Sequence, residues 1–149
     1  MEEPSETTRS AQSSHLEAQW VVGFVDGEGC FYIGINSQPS MSSHFQVLPE
    51  FTVVQYKKDV QILYALKQFF GCGVVRSNHG DRMAFRVRSI DHLWNIIVPF
   101  FDKHSLKSKK KLDYLKFRKV LLYIKQGKHL SLEGIERIQF IASQMNRGS

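Results

Sequence analysis

"WVVGFVDGEGCFYIGI", residues 20–35, changes its periodicity in the middle. Trp20, Val21, Val22, Phe24 and Val25 crowd apolar side chains toward the end of a helical run. From Cys30 onward the residues alternate, with Phe31, Ile33 and Ile35 against Tyr32, Gly34 and Asn36. The spacing predicts a helix from about His15 to Asp26 or Gly27, followed directly by a strand over residues 30–38. Ser13 or Ser14 is placed to cap that helix, with Glu17 at capping-box distance from Ser14. The seam holds two glycines four apart, Gly23 and Gly27, and two acids, Asp26 and Glu28. Glycine costs about 1 kcal/mol against alanine inside a helix, so the pair asks for a reason.

Small residues at that spacing let two helix backbones approach closely. In a soluble protein a second copy of the same helix, related by a two-fold axis, supplies such a contact. Val22, Gly23, Asp26 and Gly27 are then dimer-interface candidates. Asp26 and Glu28 of both chains would converge near the axis, and four carboxylates repel one another unless a cation neutralises them. Mg²⁺ is held by one or two protein carboxylates in many sites. Beside a nucleic-acid surface, such metals suit phosphodiester hydrolysis, where they activate a water and stabilise the leaving oxygen. The competing reading has Asp26 and Glu28 merely ending a helix, with Gly27 and Gly29 as C-cap glycines. Spacing alone leaves both open.

The rest of the chain narrows the class. Its 149 residues make one domain, and 42% hydrophobic content can fill a core. Cys30 and Cys72 lie far apart without metal spacing, which argues against a disulfide framework and for a reducing compartment. No apolar run approaches the ~20 residues of a membrane helix, and the N-terminus lacks a signal-peptide core. A soluble, intracellular protein of the bacterial cytoplasm or an organelle matrix is expected, with no membrane partner. The formal charge is +6; Glu2, Glu3 and Glu6 against Arg9 give the first thirteen residues −2, which leaves +8 for the remainder. Residues 1–13 read as a disordered acidic leader and residues 14–147 as a single basic domain suited to a polyanion.

Working outward from the seam, residues 44–55, "HFQVLPEFTVVQ", form a second alternating strand. Phe45, Val47, Phe51 and Val53 point one way and His44, Gln46, Glu50 and Thr52 the other, with Pro49 marking an edge or a bulge. Residues 57–71 have helical spacing at Val60, Leu63, Leu66 and Phe70 and stop at Gly71. Residues 73–89 read as a hairpin around Asn78–Gly80, Val75, Phe85 and Val87 inward and Arg76, Arg86 and Arg88 outward. Three helices follow: residues 90–104 ending near Pro99, residues 108–129, and residues 131–146 capped by Ser131. The order predicts an α+β domain with a mainly antiparallel four-stranded sheet, helices on one face and additional C-terminal helices. The free face is rich in side chains that pair with base edges; a plain solvated face is the alternative. Trp20 and Trp94 sit among apolar residues and are expected in the core, Cys30 reads as a small buried side chain, and the six histidines show no metal spacing.

"VVGFVDGEG", residues 21–29, resembles the nine-residue signature of the LAGLIDADG homing endonucleases. Gly23, Asp26 and Gly29 match its letters, Val21, Phe24 and Val25 are apolar where it is apolar, Gly27 is small, and Glu28 stands at its last acid. The αββαββα order over most of residues 14–145, and a tail similar to that of fungal members, extend the likeness. One copy of the motif implies a single-motif member acting as a homodimer. The resemblance implies that Glu28, with Gly27 beside it, binds metal, two or more Mg²⁺ (or Mn²⁺) per dimer active site, bridging to scissile phosphates. It implies that Gln55 orders water and that a lysine before the long late helix stabilises transition-state charge. Lys109 is the choice among Lys107, Lys109, Lys110 and Lys111. Small dimeric members carry a basic residue four positions after the glutamine; here Asp59 stands there, and Lys57 or Lys58 is the available replacement. Tyr32, Asn36, Gln38, His44, Gln46, Glu50, Thr52, Arg76, Asn78, Arg86 and Arg88 would face the major groove, while Lys57, Lys58, Lys103 and Lys107 would touch phosphates. The implied function is an intron-encoded endonuclease that cuts both strands of a long, nearly palindromic duplex DNA site. The alternative of the same fold is a nucleic-acid-binding protein without cleavage, an RNA-splicing maturase or a transcription regulator. A basic α+β adaptor without catalysis predicts a monomer.

Overall fold

Alternation dominates the first half of the chain, and it builds one sheet. The computed structural model describes residues 15–147; the acidic leader and the Ser13 or Ser14 cap lie outside the described residues. Strands β1 (Gly29–Ser37), β2 (Phe45–Tyr56), β3 (Val74–Ser77) and β4 (Arg82–Val87) pair in the order β1-β2-β4-β3, every pair antiparallel. The register puts Phe31 opposite Phe51, Phe51 opposite Val87, and Val75 opposite Phe85, so one face is apolar across all four strands. Phe31, Phe51 and Phe85 are fully buried. Burying one such ring is worth about 1.5–3 kcal/mol, and the Phe31–Phe51 pair stacks with centroids 5.1 Å apart.

Helices cover that face. They are α1 (Ala18–Glu28), α2 (Val60–Phe70), α3 (Ile90–His92), α4 (Val98–Lys103), α5 (Lys110–Lys125) and α6 (Leu132–Ser143), with a π-helical turn over Leu93–Ile97 and a 3₁₀ turn over Lys57–Asp59. Phe70 of α2, Phe101 of α4 and Phe117 of α5 meet the rings of Phe31 and Phe51 at 5.2–6.1 Å. Helix α2 ends where expected, at Gly71 with φ 71°, a left-handed conformation that glycine adopts without a Cβ clash. Ser131 caps α6 by accepting from the Gly134 N–H at 3.0 Å. Val75, Phe85 and Val87 face the core, as the alternation predicts, and Tyr114 and Phe117 are buried with them.

Several expectations are corrected. Helix α1 begins at Ala18, not His15, and Glu17 is its N-cap without a side-chain bond. Helicity does not stop at Pro99. The π turn shifts the bonding so that Val98 N–H reaches Leu93 C=O, and Pro99 then falls in the first turn of α4, where no donor is required of it. Gln38 and His44 lie beyond the strand ends, in a turn closed by Gln38 N–H to His44 C=O (2.8 Å) and His44 N–H to Met41 C=O (2.9 Å). His44 takes φ 65° there. Pro49 sits where β2 has β1 as its strand neighbour and β4 has not yet begun to pair, the edge-like position its missing N–H needs. Trp20 is 43% exposed, stacked on Phe24 at 4.9 Å, and is not core; Trp94 is half-buried against the core.

Candidate functional site

The seam works because Gly29 lets a helix become a strand with no loop between. Gly29 already has extended backbone (φ −83°, ψ 163°), yet its N–H still closes the last turn onto Val25 C=O. A Cβ at residue 29 would lie 2.7 Å from Val25 Cγ1. Glu28 is therefore held at the end of α1, one residue before the sheet begins. Val21, Val22 and Val25 bury one side of the helix, which corrects the expectation of Val22 at a dimer interface: at 1% exposure it belongs to the domain's own core. On the other side a Cβ at Gly23 or Gly27 would meet nothing within 4 Å, and the Trp20–Phe24 stack lies open beside them. An apolar stripe with two glycines thus faces away from the domain.

The two acids have different surroundings. Asp26 Oδ2 accepts the Lys107 N–H at 2.8 Å, and Oδ1 accepts the Ser108 N–H at 3.1 Å and the Ser108 hydroxyl at 2.7 Å. Burial raises the Asp26 pKa, but these three bonds and the charge of Lys110 outweigh it and hold the group below the usual carboxylate range. Asp26 is thus already satisfied within its own chain. Glu28 is exposed, and among the described residues it makes no ion pair. It also stands at a helix C-terminus, where unsatisfied carbonyls carry partial negative charge and a cation is favoured.

Gln55 and Lys109 come to the same end of the sheet. Gly29 is the last β1 residue paired with β2, opposite Val53, so Gln55 lies two residues past that pair, level with the end of α1. It shares the parity of Phe51 and Val53 and is half-buried on the helix side. Lys109 is the exposed N-cap of α5, next to the two residues that Asp26 binds. Lys57, Lys58 and Asp59 form the exposed 3₁₀ turn after β2. Lys107 lies in the Asp26-bound loop and Lys103 ends α4.

The outer face of the sheet carries the remaining candidates. Asn36 pairs with Gln46, Tyr32 with Glu50, and Thr52 with Arg86 across the strands. Tyr32, Asn36, Gln46, Arg76 and Arg88 are exposed. Several are already engaged. Glu50 accepts from Arg88, and the Asn78 side-chain Oδ1 accepts from Arg86 at 2.8 Å. Thr52 is corrected: its hydroxyl is enclosed and has no partner among the described residues, so it is not offered to solvent. Gln38 and His44 belong to the tip of the β1–β2 hairpin. Sequence reasoning missed Tyr56 and Arg82, opposite one another at the strand ends, with the guanidinium 4.6 Å from the ring centroid and bonded to its hydroxyl at 3.3 Å. Both continue the outward alternation of β2 and β4, which was the available signal. Ser108 was also missed, and nothing local in the sequence announces it.

No group of three or more His, Cys, Asp or Glu is gathered among the described residues. One chain offers an exposed carboxylate at Glu28 and the backbone beside it, hard oxygen donors of the type Mg²⁺ takes with water and phosphate completing its shell. A second copy of α1 would bring a second carboxylate to the same place.

Comparisons with known proteins agree on the family. The model of the LAGLIDADG endonuclease family matches residues 21–121. The crystal structure of a homing endonuclease, I-TnaI, is 53% identical, with 90% of each chain covered and a TM-score of 0.86. I-SmaMI, a LAGLIDADG homing endonuclease bound to cleaved DNA, is 36% identical with a TM-score of 0.87, over 91% of this chain and 46% of that one. A 50.9 kDa protein in ND4 intron 1 of Podospora anserina is 34% identical over 131 residues, 84% of this chain and 29% of that protein. The chain thus spans about a quarter to two fifths of the length of five curated fungal relatives that it matches.

Proposed function

The chain belongs to the LAGLIDADG endonuclease family and carries one copy of the motif, and from that premise we propose that it is a site-specific, metal-dependent double-strand DNA endonuclease that works as a homodimer. The observation that carries the reading is the open glycine face of α1 ending in the exposed carboxylate of Glu28. Two such faces, packed on a two-fold axis, bring two Glu28 carboxylates to one place beside two sheets. DNA in the I-SmaMI structures, calcium ions in one of them, and the intron-encoded names of the curated relatives support duplex DNA, a divalent cation and an intron origin. Those names also support an intracellular, organellar setting.

Glu28 and the Gly27 carbonyl would hold Mg²⁺ or Mn²⁺, which when bound activates water and stabilises the leaving oxygen. Gln55 orients water at the inner edge of the site, and Lys109 offsets charge developing on the phosphate. Asp59 stands where small dimeric relatives carry a base, so Lys57 and Lys58 supply the positive charge of that turn. The exposed sheet residues read base edges, arginine toward guanine and Asn or Gln toward adenine. Tyr56 and Arg82 add a stacked pair at the sheet end nearest the seam. A near-palindromic target follows from the two-fold axis.

The test is incubation with a randomised duplex library and Mg²⁺, followed by sequencing of cut ends, beside Glu28→Gln. The reading expects double-strand cuts at near-palindromes, slowed on the order of 10³-fold or more by the substitution, with DNA binding retained. Equal enrichment of one duplex by both proteins without cutting would make the chain a binding relative and sink the nuclease.

A further inference from the structure

We infer that Asp26, acting through Ser108, is the positioning residue for Lys109, so that one motif acid builds the part of the active site contributed by a loop more than eighty residues away. The inference rests on the role proposed above for Lys109. Asp26 sits in the last turn of α1, and three of its hydrogen bonds cross 81–82 residues of sequence to one loop. The Ser108 hydroxyl is used twice: it donates to Asp26 at 2.7 Å and accepts the Lys110 N–H at 3.2 Å. Lys109 lies between these two bonded residues, so its backbone is fixed on both sides. Leu106, 2% exposed, anchors the same loop in the core. Lys109 itself is the N-cap of α5 with helical backbone and makes no side-chain cap bond. Ser108 Oγ accepts the Lys110 N–H and so serves this helix start, a task the Lys109 ammonium, a donor only, cannot perform.

The geometry has a direct chemical use. Asp26 and Glu28 are two residues apart on one helix, about 200° around its axis. They therefore point to different sides. One holds the chain's own lysine loop, and the other remains for the metal and the second copy. Fixing the loop to the same turn of helix that bears Glu28 sets the distance between the two active-site groups without any contact between them. A lysine displaced by about 1 Å from its working position can cost up to ~10²-fold in rate.

The test uses the full chain on the DNA site recovered from the library. Single-turnover cleavage rates at saturating protein, and Kd for the same duplex, are measured for Ser108→Ala, Lys109→Ala and the double variant. Sedimentation of each variant checks that the dimer is intact. The inference expects Ser108→Ala to cut about tenfold slower with Kd unchanged, and the double variant to be no slower than Lys109→Ala alone, because the serine acts only through the lysine. Amide hydrogen exchange at Lys107 and Ser108 should accelerate in Asp26→Ala and stay slow in Lys109→Ala. Rate losses that multiply in the double variant would overturn the inference and make Ser108 a general stabiliser. Lys109→Ala slow with Ser108→Ala at full rate would overturn it alone. Lys109→Ala at full rate would overturn it together with the role of Lys109.

Discussion

Val21, Val22 and Val25, on one side of α1, are at most 1% exposed, whereas a Cβ added at Gly23 or Gly27, on the other, would meet nothing within 4 Å. The two sides carry different kinds of information. The valine side is complete within one chain and is governed by burial and shape. The glycine side acquires meaning when a second surface arrives, and it is the side that keeps the helix backbone bare at a conformational cost of roughly 1 kcal/mol per glycine. The two acids also differ from one another. Asp26 is bound by its own chain, and Glu28 is left exposed. A motif that looks like one unit in sequence is thus two devices in space, a hinge to the domain's own loop and a face offered outward.

Changes in the core to which the valine side of α1 belongs should act on stability alone. Phe31→Ala removes a ring that touches Phe51, Phe101, Tyr114 and Phe117. It should lower the unfolding free energy by about 3–5 kcal/mol in denaturant titration. A loss under ~1 kcal/mol would mean that the core repacks and that the contrast is overstated. Changes on the outer side should act on assembly. Gly23→Leu has room for its side chain and gains helix propensity, so the single chain should be no less stable and up to ~1 kcal/mol more stable. Its unfolding midpoint should lose the dependence on protein concentration that a dimer imposes. A destabilised single chain would place the glycine face inside the domain's own packing.

The smallest expected effect sharpens the contrast from a distance. His129, between α5 and α6, has an enclosed Nδ1 without a partner among the described residues. Burial lowers its pKa below the ordinary histidine value. The folded state therefore prefers the neutral ring, and its contribution is intact above about pH 6.5. It is lost as pH falls from there toward the lower folded value. His129→Gln should flatten the acid-side decline in Tm between about pH 7 and 5.5 while leaving the dimer intact. An unchanged decline would show that the ring charges without cost.

How much of this was legible in the sequence depended on range. Strict alternation in residues 45–53 and 82–88 named the inward and outward faces of the sheet, because the period of a strand is two and one face must be buried. Gly71 and Ser131 marked a helix end and a helix start through purely local chemistry. Gln38 and His44 failed because a closed turn at the hairpin tip overrode the alternation that would have carried them outward. Pro99 failed because a π turn one step earlier changed which residue had to donate. Trp20 failed because aromatic content suggests burial without saying whose surface does the burying. The Asp26–Ser108 bonds had no local signal at all, since the partners meet only after the whole sheet has folded between them. Thr52, by contrast, was placed on the right face and is still enclosed by its neighbours there.

The most direct test of the account is the mass of the protein in solution by sedimentation at micromolar concentration. The glycine face of α1 predicts a particle of two chains, twice the 17.2 kDa of one, which Gly23→Leu reduces to a single chain. A single-chain mass for the unsubstituted protein, with and without duplex DNA, would contradict it.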